Sequence, residues 1–67
     1  MNPNDYVTVH VSILSRWRKA FEVTDGEQIC VLPKSQIVNV KMISETGECH
    51  LVIPRWLAKE KNLEVMK

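Results

Sequence analysis

Residues 28–37 read Gln-Ile-Cys-Val-Leu-Pro-Lys-Ser-Gln-Ile: an apolar run, a proline, a polar turn and the first residue of a second apolar run. Proline has no N–H to give a sheet ladder, so a strand must end at Pro33. The chain then turns a corner through Lys34, Ser35 and Gln36, with room for one turn of 3₁₀ helix. Residues 28–32 show no alternation, the pattern of a strand buried on both faces or with one end under a helix. We therefore expect this strand and corner at the centre of one small β-rich domain, with the rest of the chain folded over them.

The clearest strand signal lies upstream. From Tyr6 the chain reads Tyr-Val-Thr-Val-His-Val-Ser-Ile-Leu, with Val7, Val9, Val11 and Ile13 on one face and Thr8, His10 and Ser12 on the other. Period two in β-branched residues marks a strand with one buried face. Ser15, Arg16, Trp17 and Arg18 break the alternation, and residues 19–23 resume it as a second strand. Asp25-Gly26 supplies the positive φ of a tight turn, so the second and third strands form a hairpin.

A fourth strand at residues 37–44 places Val38, Val40 and Met42 on one side and Asn39 and Lys41 on the other. After the Glu45-Thr46-Gly47-Glu48 turn, residues 49–53 are a fifth strand antiparallel to it. Pro54 stops that strand and suits the first turn of a helix. Residues 55–61 favour helix, and Asn62 can take the left-handed C′ conformation with Leu63 as its apolar partner. A helix of about two turns is unstable alone. Trp56, Leu57 and Leu63 are therefore expected to dock it, with Trp56 in the core. Residues 1–5 and 64–67 read as loose ends.

Sixty-seven residues make one domain, with 45% hydrophobic and 25% charged side chains and few Gly or Pro, a globular composition. A chain this short buries only about 60% of its unfolded surface. Five short strands and one helix then predict a mainly β, α+β fold: a strongly bent five-stranded antiparallel sheet or open barrel, SH3-like or OB-like, which gives one core and few edges. No apolar run nears the ~20 residues of a membrane span, and the N-terminus lacks the order of a signal peptide. A cytoplasmic protein without a membrane partner is expected, with Cys30 and Cys49 as free thiols inside strands.

In its boxes the chain resembles a family of very small bacterial proteins carried mostly by phages and mobile elements. The matching residues are Lys19-Ala20, Gly26-Glu27, Leu32-Pro33-Lys34-Ser35-Gln36-Ile37 and Ile53-Pro54-Arg55-Trp56-Leu57-Ala58-Lys59-Glu60-Lys61. They occur in the family's order, and the resemblance spans about three quarters of the chain. It implies a fold and a genomic setting. Two departures stand out: Val31 where those proteins often carry a large aromatic, and Arg16-Trp17-Arg18 where their first hairpin tip is usually acidic or neutral.

Catalytic machinery is not visible. His50 follows Cys49, and neighbours in a strand point to opposite faces. The two Cys and two His also lack the short spacings of a zinc site. No enzyme, metal or cofactor is expected, and His10 and His50 read as polar-face strand residues.

Arg16-Trp17-Arg18-Lys19 is the sharpest candidate. An indole flanked by cations can stack on a base beside phosphates, anchor a protein interface, or simply cap the sheet end with the arginines snorkelling around it. Lys34, Ser35 and Gln36 either satisfy backbone groups freed at the corner or extend that basic tip. A net charge of +1 counts against nucleic acid and favours a protein partner. Together with the resemblance, this suggests a non-enzymatic accessory protein, one form of which is an inhibitor of a host defence complex acting by occlusion. A single-stranded nucleic-acid-binding barrel is the alternative. A homodimer pairing edge strands through the long first strand is a third possibility.

Overall fold

The computed structural model describes residues 5–66, so residues 1–4 of the loose lead-in expected over 1–5, and Lys67, lie outside the described residues. Asp5 is held by Arg55, whose N–H donates to its carbonyl at 3.1 Å. The elements are β1 (Tyr6–Arg16), β2 (Ala20–Thr24), β3 (Ile29–Pro33), a 3₁₀ turn (Lys34–Gln36), β4 (Asn39–Met42), β5 (Glu48–Pro54) and α1 (Arg55–Glu60). The strands form one five-stranded antiparallel sheet in the order β3-β2-β1-β5-β4. β3 and β4 stay apart at the two edges, so the sheet is not closed.

β1 is the central strand, and its alternation does what the sequence asks. Val7, Val9 and Val11 are buried and stand opposite Ile53, Leu51 and Cys49 of β5. Its first half pairs with β5 and its second with β2, where Ile13 faces Val23 and Ser15 faces Glu22. Leu14 is thus the extra residue of a β-bulge, which bends the strand and leaves that side chain exposed.

The expectation that residues 28–32 lie at the centre is corrected. β3 is an edge strand: Leu32 and Cys30 face the core opposite Phe21 and Val23, while Ile29 is 64% exposed. An apolar run without alternation fits a twisted edge strand as well as a buried one. β1, expected as a free edge for dimer pairing, is flanked on both sides, and the open edges belong to β3 and β4. β4 puts Val40 and Met42 opposite Leu51 and Cys49 on the core side, yet among the described residues nothing covers that margin and all four of its residues are exposed. Asn39 Oδ1 accepts the Val40 N–H at 2.9 Å, which occupies one main-chain donor that the sheet does not use.

α1 is entered through Pro54, whose φ of −60° and ψ of 142° complete β5 and lead into the helix. Leu57 and Ala58 dock it on β1 and β5, and Leu63 follows them into the core. Trp56, expected in the core, is 44% exposed. Successive helical side chains point about 100° apart, so a short helix that turns Leu57 and Ala58 inward leaves Trp56 on its flank.

The helix ends as its sequence specifies. Asn62 has φ of 56°, and the Leu63 and Asn62 N–H groups donate to the Ala58 and Lys59 carbonyls at 2.8 and 3.1 Å. These are the paired bonds of a Schellman motif. Beyond it, where a loose tail is expected, Val65 bridges Val9 and the Met66 N–H donates to the Thr8 carbonyl at 2.8 Å.

The β2–β3 turn is tied to this helix end. Asp25 Oδ1 accepts the Glu27 and Gln28 N–H groups at 2.9 and 3.0 Å. Gln28 Nε2 donates to the Lys61 and Asn62 carbonyls at 2.6 and 3.1 Å. The two backbone donors hold the Asp25 carboxyl below the ordinary aspartate value of 3.8. Because its pKa is lowered on folding, Asp25 adds stability above the unfolded value and loses it as pH falls through the folded one. Urea midpoints measured from neutral to strongly acidic pH should show a shallower acid limb for Asp25→Ala than for the parent. An unchanged limb would remove Asp25 from this role.

Candidate functional site

The structure joins the two candidate segments. β2 and β3 pair up to Ala20 opposite Pro33, and one step beyond, the Lys34 N–H donates to the Lys19 carbonyl at 2.8 Å. The corner after Pro33 therefore lies directly against the tip of the β1–β2 hairpin. Residues 16–19 and 34–36 form one continuous end of the molecule.

At the tip, the Trp17 N–H donates to the Ala20 carbonyl at 2.9 Å, leaving Arg18 and Lys19 as a two-residue loop. Among the described residues only Asn62 has positive φ outside glycine. Arg18 and Lys19 thus have negative φ, unlike the positive-φ turns usual in two-residue hairpins. Trp17 is 48% exposed, and Arg16, Arg18 and Lys19 are exposed around it. Lys34 Nζ lies 4.9 Å from the centre of the Phe21 ring, and Phe21 pairs with Arg16 across the sheet. Among the described residues the ion pairs are His10–Glu48 and Arg55–Asp5, so Arg16, Arg18, Lys19 and Lys34 have no carboxylate partner there.

Ser35 is exposed and Gln36 half-buried. The 3₁₀ turn is closed by its own backbone, the Ile37 N–H donating to the Lys34 carbonyl at 3.1 Å. Among the described residues neither side chain is hydrogen-bonded to the backbone of the corner, and Ser35 stands open on the surface.

Cys30 on β3 and Cys49 on β5 are free, with β2 and β1 between their strands. Burial pushes both thiols up from their ordinary value, with the Arg16 charge opposing the rise at Cys49 and the Lys61 charge at Cys30. A raised pKa keeps a thiol protonated and unreactive.

Sequence spacing gives no warning of a second cluster, on the outer face of β1 and β5. His10 and His50, forty residues apart in the chain, are direct cross-strand partners. Their rings meet edge to face at 5.1 Å, and His10 Nε2 lies 3.1 Å from Glu48 Oε1. His10 and Glu48 also line a shallow, mainly acidic groove with Asp25, Glu27 and Glu64. None of residues 16–19 or 34–36 lines that groove.

No family model matches the chain, and no curated protein or solved structure matches it either. Among the described residues no helix is long and apolar enough to cross a membrane.

Proposed function

We propose that the protein is a non-enzymatic binding module that engages a partner protein through the Arg16-Trp17-Arg18-Lys19 tip, with Lys34, Ser35 and Gln36 extending the contact. The observation that carries this reading is the Lys34–Lys19 main-chain bond. It brings two segments that carry four cations and a half-exposed indole to one end of the molecule, whereas the net charge of the chain is only +1. Trp and Arg are the residues most enriched at interface hot spots, where truncating one costs about 2 kcal/mol or more. The complementary partner presents an apolar pocket for Trp17 rimmed by carboxylates. In the phage setting that the sequence boxes suggest, such a protein acts by occluding a surface of a host complex, including one of host defence.

The same patch favours single-stranded nucleic acid as a second reading, because a stacked base adds about 1–3 kcal/mol and the cations would meet phosphates. One variant separates the two. Arg16→Ala, Trp17→Ala and Arg18→Ala combined should keep the fold, since all three side chains are exposed. The protein-binding reading expects host proteins captured by the parent to be lost with this variant, and no oligonucleotide binding at moderate salt. Oligonucleotide affinity that falls steeply with salt and vanishes in the folded variant would replace it with the nucleic-acid reading.

A further inference from the structure

β4 is an open edge of the sheet, and the proposed binding tip does not use it. Its pairing with β5 fixes which way its main chain points. The Ile43 N–H donates towards β5, to the Glu48 carbonyl at 2.9 Å, whereas the Val40 N–H goes to Asn39 Oδ1 at 2.9 Å. In an antiparallel ladder this alternation makes Lys41 and His50 a hydrogen-bonded pair and turns the N–H and C=O groups of Val40 and Met42 outward. On the core side, Val40 and Met42 are 39% and 44% exposed. On the other face Lys41 is exposed, and among the described residues it belongs to no ion pair.

We propose that β4 is a docking edge for an extended segment of a partner protein, which joins the sheet as a further strand with a carboxylate side chain opposite Lys41 and apolar side chains opposite Val40 and Met42. In an antiparallel arrangement Val40 and Met42 each exchange main-chain bonds with the incoming strand. Lys41 then stands in the pair between them, the type whose side chains approach most closely. It is the one charge on this edge, so an acidic residue there complements it and a basic one is rejected. The apolar neighbours of that residue extend the core rows that run from Leu51 to Val40 and from Cys49 to Met42. Strand addition of this kind takes its affinity from main-chain bonds and its specificity from alternate side chains.

A second copy of the chain is a poor occupant. Pairing β4 with itself so that Val40 faces Met42 sets Lys41 directly against Lys41 of the second copy, and like charges there are destabilising. Setting Val40 against itself calls on Val38 opposite Met42, but the Val38 N–H is already given to the Val52 carbonyl at 2.8 Å. Setting Met42 against itself calls on Ser44 opposite Val40, and the Ser44 N–H is turned to the Glu48 carbonyl at 3.4 Å. A short edge carrying a lysine is a common guard against self-pairing, and here the same lysine selects the partner. Asn39 completes the edge, because its side chain holds the Val40 N–H until an incoming carbonyl takes it. β3, the opposite edge, carries no charged residue and ends in Pro33, which has no N–H to give.

The test is a titration of the nitrogen-15-labelled chain, read by its amide NMR shifts, with the end-blocked peptide Ser-Thr-Val-Glu-Val-Thr-Ser and with the same peptide carrying Lys in place of Glu. The Val40 and Met42 amides should move, and hydrogen exchange at Met42 should slow. The Glu peptide should bind tighter than the Lys peptide by about fivefold or more, and Lys41→Glu, with folding checked by circular dichroism, should reverse that preference. Asn39→Ala, which leaves the Val40 N–H without its competitor, should bind the Glu peptide more tightly than the parent does. The Arg16→Ala, Trp17→Ala, Arg18→Ala chain should bind it as the parent does, which separates this edge from the tip. No shift at millimolar peptide, shifts centred on β3, or equal affinity for the two peptides would overturn the proposal. So would β4 shifts that follow protein concentration without peptide, which would give the edge to a second copy.

Discussion

Leu51→Ala should cost about 2–5 kcal/mol, the range for removing a fully buried leucine and leaving a cavity. Leu51 has no exposed surface and stands between Val9 on β1 and Val40 on β4. A 67-residue domain is held by only about 3–10 kcal/mol in total. The substitution should therefore lower the melting temperature by about 8 °C or more, at about 4–8 °C per kcal/mol for a domain of this size. Val40→Ala is the internal control: it removes apolar bulk from the same cross-strand row at a site 39% exposed, and should cost under about 1 kcal/mol. Equal losses from the two variants, read by thermal melts, would mean that Leu51 is not in a closed core.

Gly47→Ala should be nearly as damaging, for a different reason. Gly26 and Gly47 share φ of 101°, a conformation that side chains rarely adopt. A Cβ on Gly26 meets open space, whereas one on Gly47 would sit 2.9 Å from the Ile13 carbonyl oxygen. That neighbour is backbone of the central strand and cannot swing away. It also belongs to the residue whose N–H donates to the Gly47 carbonyl. Gly26→Ala should cost about 1–2 kcal/mol from the backbone conformation alone. Gly47→Ala adds the displacement of β1 and a weakened hydrogen bond, about 1 kcal/mol more at least. Urea midpoints of the two variants measure the difference, and equal midpoints would show that the turn yields without disturbing β1.

What could be read from the residues, and what could not, divides along physical lines. The alternation of Val7, Val9 and Val11 has only one reading, and both Gly-bearing turns and the Asn62 helix stop depend on local backbone preference. Those features are encoded within a few residues. The position of β3 is not: the run from Ile29 to Leu32 is as compatible with an edge as with the centre until its neighbours are known. A large apolar ring such as Trp56 is expected inside, but which stripe of a two-turn helix meets the sheet is decided by Leu57 and Ala58. The candidate tip was visible as an indole among cations, while its junction with Lys34 depends on the Ala20–Pro33 register. The His10–His50 pair depends on the β1–β5 register, which no local motif announces.

That β1–β5 ladder also governs how the chain reaches its native state. Tyr6 pairs with Pro54 and Ser12 with Glu48, so the central strand is joined along its first half by the last one. The hairpins β2–β3 and β4–β5 close short loops and can form early, each from its own residues. Joining them through β1 means closing a loop of most of the chain, and that entropy is lost before the contacts that offset it are made. Folding should therefore be slow for so small a domain. Until the ladder closes, Val7, Val9 and Val11 present an unpaired apolar edge, and the nascent chain is most vulnerable to self-association in that interval.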